Sequence, residues 1–294
     1  MAATQIAQVR RFNRTVTQRV GALDDGYLSR GRSLGQVRVL WEIGADGRRV
    51  RDLRAVLGLD SGHLSRLLRA LEHDGLIRVE PDPDDARARI ARLTPPGLAE
   101  LGELDRRSDE LVATILDPLS ARQRDALVAA MGEVERLLTA SLVRVAPIDP
   151  ADPRARLCID AYIAELGTRF DDGFDPARSI SAERDELSPP AGILLMATLH
   201  DEPVGCAALK HRGDGLAEVK RMWVSPAVRG LGLGRRLLSD LESHARAHGT
   251  RTLRLETNRS LGEAIALYRA TGYREVAAFS DEPYAHHWFE KTLG

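Results

Sequence analysis

Along its first half the chain repeats apolar residues at intervals of three and four, the spacing that puts them on one face of a helix. Ile6, Val9, Val16 and Val20 predict a first helix, and further periodic segments cover 34–43 and, briefly, 50–57. Gly58, Leu59 and Asp60 read as a turn. Asp60 or Ser61 can cap the next helix, which runs to Asp74 and stops at Gly75. Residues 76–79 and 89–93 predict two short strands around a tip rich in turn formers, Pro81, Asp82, Pro83, Asp84 and Asp85. Two long helices follow over 96–116 and 121–140. From 142 the texture changes. Strand-like runs at 142–145, 192–199, 204–210, 217–224 and 252–257 alternate with helical ones at 154–167, 234–248 and 262–270, and a last strand falls over 284–289. Strands interleaved with helices predict an α/β or α+β domain.

This change divides the 294 residues into two domains, 1–140 and 142–294, each large enough to bury its own core. The junction reads in two ways. A helix feeding almost directly into a strand restricts domain motion; alternatively, Pro147, Pro150 and Pro153 mark a hinge. An apolar fraction of 43% against 29% charged excludes a disordered chain. With a net charge of -1, affinity for nucleic acid has to come from a local basic patch. Cys158 and Cys206 are too few for a disulfide framework and too far apart for a zinc motif, so they read as small buried residues in a reducing compartment. Arg10, Arg11 and Arg14 have no apolar stretch behind them, which argues against a signal peptide. The longest apolar run, 193–199, is too short to cross a bilayer. The expectation is a cytoplasmic protein with no membrane partner and no metal.

Helix, tight turn, helix and a two-stranded wing is the plan of a winged helix-turn-helix. On the second helix Ser61, His63, Ser65, Arg66 and Arg69 carry hydroxyls and guanidinium groups, while Leu64, Leu67, Leu68 and Leu71 fall on the core side. Hydroxyls reach phosphates or base edges, and arginine bonds bidentately to guanine. Arg87 and Arg89 sit on the wing, where an arginine can enter a narrow minor groove. The alternative is a solvated helix face and an ordinary surface turn. Ser65-Arg66, Leu71-Glu72, Gly75-Leu76-Ile77-Arg78, Asp85-x-Arg87 and Leu93-Thr94 together resemble the signature of MarR regulators over about 5–140. The resemblance implies that Asp85 pairs with and braces Arg87, that the first helix and the two long helices to Ala140 form a homodimer, and that the dimer binds double-stranded DNA at a near-palindromic operator. Asp82, Asp84 and Asp85 lie near Arg87, which predicts modest, salt-dependent affinity.

The strongest motif is Arg229-Gly230-Leu231-Gly232-Leu233-Gly234, followed by Arg235 and preceded by Met222-Trp223-Val224-Ser225-Pro226. Glycines at a helix start let backbone amides close around phosphate, and the helix dipole adds to the attraction. The spacing is not Gly-x-Gly-x-x-Gly after an early strand, so a dinucleotide site is disfavoured, and the missing Gly-Lys-Ser/Thr excludes a Walker loop. Arg-x-x-Gly-x-Gly after a strand ending in Val-x-Pro resembles the acetyl-CoA motif of GNAT acetyltransferases, and the resemblance extends over about 142–294 through Glu256-Thr257-Asn258, the helix around Tyr268, and Gly272-Tyr273. It implies a mixed, splayed sheet. It also implies that the amides from Arg229 through Gly230, Leu231, Gly232, Leu233 and Gly234 to Arg235 hold the diphosphate. Met222, Trp223 and Val224 would then pair with the pantetheine arm, and Tyr268 would protonate the departing thiolate. Leu261 stands where many relatives carry a cofactor-binding Asn, which leaves the role of Asn258 open.

The acceptor amine must lose a proton, and Glu218 is the preferred base, with Glu256 as its rival. For either, the alternative is an ion pair with Arg221 or Arg254. Phe170 and Phe174, with Asp171, Asp172 and Gly173 between them, fall in the segment that faces the acceptor in that family. With Lys220, Arg221 and the tail 284–289 they suggest a pocket for a small amine bearing a carboxylate. His286, His287 and Trp288 can equally be strand residues that pack or pair. The combined expectation is a two-domain chain: an all-α-rich winged helix-turn-helix dimer, then an α/β (α+β) GNAT fold that acetylates a primary amine by direct transfer in a ternary complex. Other readings remain: a regulator that only senses acetyl-CoA, an acetyltransferase of protein lysines, or an enzyme whose helical half serves only to dimerise.

Overall fold

The computed structural model describes residues 3–22, 27–29, 31–83, 85–171, 173–180 and 182–294; Asp84 of the wing tip and Asp172 of the acceptor loop lie outside them. The chain forms two compact units, Met1–Gly132 and Glu133–Gly294.

The first unit contains α1 (Ala3–Arg19), α2 (Leu34–Ile43), β1 (Arg48–Arg49), α3 (Val50–Leu57), α4 (Ser61–His73), β2 (Ile77–Asp82), β3 (Asp85–Leu93), α5 (Pro95–Leu116) and most of α6 (Ala121–Leu142). Asp60 caps α4 by accepting from His63 N at 2.9 Å. The αL conformation at Gly75 (φ +70°) turns the chain into β2. Leu64, Leu68 and Leu71 drop from α4 into a core with Leu40, Ile43 and Leu53. The wing is an antiparallel sheet in the order β1-β3-β2. Its strands run closer to the tip than expected, and β1 was not foreseen, because two paired residues carry no period.

The second unit contains β4 (Arg144–Pro147), α7 (Pro153–Arg169), β5 (Gly192–Leu199), β6 (Glu202–Gly213), β7 (Leu216–Val224), α8 (Leu233–Ala247), β8 (Thr252–Thr257), α9 (Gly262–Ala270), β9 (Arg274–Val276) and β10 (His287–Thr292). The sheet order is β4-β5-β6-β7-β8-β10-β9, antiparallel except between β7 and β8. Both faces are covered. On β5 and β6, Leu194, Met196, Cys206 and Ala208 pack with Ala155 and Cys158 of α7, while Leu195, Ala197, Ala207 and Leu209 pack with Leu237, Leu238 and Leu241 of α8. Alternate residues thus feed opposite layers, which is why β5 reads as an unbroken apolar run. Both cysteines are free thiols and buried.

The strand expected from 142 starts at Arg144, because Leu142 completes α6. The segment after Pro147 is hydrogen-bonded: Ile148 N donates to Leu194 O at 2.9 Å, and Asp152 caps α7 by accepting from Arg154 N. The last strand begins at His287, so Tyr284 and His286 belong to the preceding loop. Among the described residues no helix is long and apolar enough to cross a membrane.

Candidate functional site

The sheet of the second unit parts at its centre. β7 and β8 pair only at Leu216/Thr252, Ala217/Leu253 and Glu218/Arg254, and beyond Glu218 they diverge. A bulge sharpens the split: between Cys206/Trp223 and Ala208/Lys220 the register against β6 admits one extra residue on β7. Arg221 absorbs it with φ +51°. At the mouth of the split, Gly232 (φ +78°) opens α8 without a side-chain cap, and no acidic residue lies in the first turn. The first bond of that helix runs from Arg236 N to Gly232 O at 3.1 Å, which leaves the amides of Leu233, Gly234 and Arg235 without a helical acceptor. A cavity of about 430 Å³ lies here, lined among others by Met222, Trp223, Val224, Arg229, Gly230 and Gly232–Arg235. Leu231 does not line it; its side chain packs against the core. A donor set of uncapped amides and a positive helix end suits a diphosphate.

Arg229 is tied down at the wall of this cavity. It donates to Val224 O at 3.1 Å and to both carboxylate oxygens of Glu165 at 2.6 Å. Trp223 Nε1 (2.8 Å) and Arg169 (3.2 Å) donate to the same carboxylate. Burial raises the Glu165 pKa, but these three donors outweigh it and hold the carboxyl below its ordinary value. Glu165, on α7, therefore fixes the start of the glycine loop to the end of β7.

A second cavity, of about 400 Å³, is lined by Val219–Met222 of β7 and by Glu256 and Thr257 of β8. Tyr162, Leu166, Met222, Leu261, Ala264 and Tyr268 line both cavities, so the two meet there. Tyr268 is 5% exposed, and burial pushes its hydroxyl above the ordinary 10.0. Burial also pushes Tyr162 up to about 12. Phe170, Phe174, Lys220, Arg221, Glu256 and Glu282 line this second cavity, and Glu218 does not. Glu218 instead pairs with Arg212 at 2.9 Å and Lys220 at 3.5 Å. Burial raises its pKa, but the Arg212 hydrogen bond and nearby cations hold it low overall, which suits an ion pair better than a base. Glu256 is bonded to Lys220 and accepts from Ser280 Oγ at 2.6 Å. Asn258 donates to Tyr284 O at 2.8 Å and accepts from Ser260 N at 2.9 Å, a structural role on the wall of this cavity.

On the first unit, Ser61, His63, Ser65, Arg66 and Arg69 are exposed along α4, and Arg87 and Arg89 are exposed on β3. Arg69 donates to Ser65 O at 3.2 Å and Arg89 to Val79 O at 2.6 Å. The expected brace between Asp85 and Arg87 takes another form: Asp85 Oδ1 accepts from the backbone N of Arg87 at 3.0 Å. On the wing Arg49 forms a side-chain ion pair with Asp82, at 2.5 Å.

A family model described as the Acetyltransferase (GNAT) family matches residues 159–273, and one described as the MarR family matches 30–88. An IAA acetyltransferase of Azospirillum brasilense is 37% identical over 141 residues, 47% of this chain and 87% of that protein. The chain belongs to the GNAT acetyltransferase family. An uncharacterized N-acetyltransferase of Schizosaccharomyces pombe is 35% identical over 139 residues, 45% of this chain and 78% of that protein. A mycothiol acetyltransferase of Saccharopolyspora erythraea is 30% identical over 209 residues, 70% of this chain and 66% of that protein. The helical half carries the MarR match, so the chain is a MarR–GNAT fusion, and the GNAT family uses acetyl-CoA.

Within the GNAT fold, the glycine motif without the side chain of Leu231, the end of β7 and Tyr268 line one cavity. Glu165 and Tyr162 were missed. Glu165 acts across a long separation, the 64 residues to Arg229, and neither stands in a local motif. The Arg49–Asp82 pair of the MarR wing was missed for the same reason.

Proposed function

We propose that this chain is a dimeric DNA-binding regulator and an acetyl-CoA-dependent N-acetyltransferase in one polypeptide, and that its acceptor is a small primary amine. The observation that carries the enzymatic half is the meeting of two cavities at Tyr268, one of them ending on the uncapped amides of α8. Bound in that groove, acetyl-CoA supplies the acetyl group as a thioester. The amides of Leu233, Gly234 and Arg235 hold its diphosphate, and the edge of β7 from Met222 to Val224, which β8 leaves unpaired, aligns the pantetheine arm. Tyr268 Oη keeps its proton until the leaving sulfur takes it. The acceptor enters from the other cavity and transfer is direct, since neither buried cysteine serves as a nucleophile.

Of the two glutamates, Glu256 is the better base, because its carboxylate lines the acceptor cavity and is oriented by Lys220 and Ser280. Glu256→Gln is expected to lower kcat/KM for the amine by about 10²- to 10⁴-fold, and Glu218→Gln by less than about tenfold. An assay of thiol release across an amine panel checks this; the reverse order would restore Glu218 to the role.

For the regulatory half, the exposed arginines of α4 and the wing supply the local basic patch that a chain of net charge -1 needs. Large apolar side chains stay exposed on α1 (Ile6, Val9, Phe12, Val16) and α6 (Val128, Met131, Leu137), and these helices bury none of their residues within one chain, as expected for a dimer interface. Binding to a palindromic duplex selected from a random pool should show two chains per duplex. Arg66→Ala should weaken it by roughly 5- to 150-fold, the worth of one arginine–base contact. A stoichiometry of one, or an unchanged affinity, would defeat this part of the proposal.

A further inference from the structure

We infer that the acceptor is a primary amine on an aromatic body that carries no carboxylate of its own. The inference rests on reading the second cavity as the acceptor chamber, and it deepens that reading. Three rings form one wall of the chamber: Phe170 at the end of α7, Phe174 in the following loop, and Tyr284 in the loop before β10. Phe170 and Phe174 meet edge to face, with centroids 5.7 Å apart and planes at 88°, and Tyr284 lies 4.8 Å from Phe174 and 5.8 Å from Phe170.

The wall is braced from behind. Asp175 N donates to Tyr284 Oη at 2.9 Å, Asn258 holds Tyr284 O, and the guanidinium of Arg178 sits 5.8 Å from the centre of the Tyr284 ring. Rings held by packing and hydrogen bonds present a fixed apolar surface at little entropic cost on binding. A guest ring gains edge or offset contacts there that an alkyl chain of equal area does not, worth a factor of up to roughly ten.

The charges point away from a carboxylate. Glu183, Glu256 and Glu282 line the chamber against Lys220 and Arg221. Lys220 is bonded to Glu256 and lies 3.5 Å from Glu218, and Arg221 donates to Ala182 O at 3.0 Å. Glu282 accepts from Ser179 Oγ and Ile180 N, which fixes its carboxylate at the lining. A carboxylate on the acceptor would enter a field in which carboxylates outnumber cations, whereas an ammonium is drawn in. The sequence-based expectation that Lys220 and Arg221 recognise a carboxylate is thereby replaced.

The test uses the full chain with acetyl-CoA and four probes: 2-phenylethylamine, hexylamine, phenylalanine and spermidine. We expect kcat/KM for 2-phenylethylamine to exceed that for hexylamine by about three- to tenfold, and those for phenylalanine and spermidine at least tenfold. Phe174→Ala and Phe174→Leu, the second of which keeps apolar bulk without the ring, should bring the ratio of 2-phenylethylamine to hexylamine down to about one. Calorimetric acetyl-CoA binding confirms that each variant is folded. Hexylamine, phenylalanine or spermidine matching the aromatic amine, or a ratio that survives in both variants, overturns the inference and leaves the acceptor chamber standing. Acetyl-CoA binding with no transfer to any amine would instead remove the chamber reading, and this inference with it.

Discussion

Tyr268→Phe is expected to lower kcat for acetyl transfer by about 10²- to 10⁴-fold while KM for acetyl-CoA changes less than about threefold. The substitution removes one hydroxyl and keeps the ring. That ring is packed 5.8 Å from Phe289 and 5.9 Å from Tyr273, so the fold has no reason to move. No hydrogen bond to the Tyr268 hydroxyl is made among the described residues, so its loss leaves no buried partner unsatisfied. The group lines both cavities, where a proton is needed on the leaving sulfur. Burial favours the neutral phenol and pushes its pKa above 10.0, so the acid form persists through alkaline conditions. The wild-type pH profile of kcat should therefore show no alkaline fall below pH 10 that Tyr268→Phe abolishes. Stopped assays across pH with the best amine check both points. A variant retaining a third or more of wild-type kcat would remove Tyr268 from the chemistry.

Phe289→Ala is expected to destabilise the second unit by about 3–5 kcal/mol, enough to unfold a large share of it at moderate temperature. Phe289 is 0% exposed and lies on β10, between its pairings with Leu255 of β8 and Glu275 of β9. Its removal leaves a void beside Tyr268 and cuts the apolar contact between α9 and the sheet. Because the chain has two units, one global transition cannot be assumed. Urea unfolding should be followed by Trp223 and Trp288, with Trp41 of the first unit replaced by Phe so that only the second unit reports. A shift in midpoint corresponding to less than about 1 kcal/mol would mean that the site collapses around the loss.

Both expected losses lie in the half of the protein whose local motifs were most legible. The glycine loop announces itself because α8 needs small residues and positive φ at one short stretch, and Gly230 (φ +80°) and Gly232 (φ +78°) meet that need within a few positions of each other. Tyr268 was legible as the residue after Leu267 on a recognisable helix. The base was not. Glu218 sits in the last β7–β8 pair, opposite Arg254, while Glu256 lies beyond it on β8, where the strands have parted and the cavity opens. The tail was misjudged because 284–289 is as strand-like as 287–292 by composition, and pairing of His287–Thr292 with Thr252–Thr257 sets the register.

By itself the sequence determined most of the helices and strands, α4 with Leu64, Leu68 and Leu71 inward and its arginines outward, and the loop at the mouth of α8. These follow from periodicity and backbone conformation, which act over a few residues and are written locally. Only the tertiary structure decided which carboxylate lines the second cavity, that Glu165 gathers Arg229, Trp223 and Arg169, that Arg49 holds Asp82 at the wing, and that Phe170, Phe174 and Tyr284 share a wall. Each joins residues far apart in the chain. Their meeting depends on sheet register, a bulge at Arg221 and the packing of α7 on β5 and β6, and no local pattern encodes these.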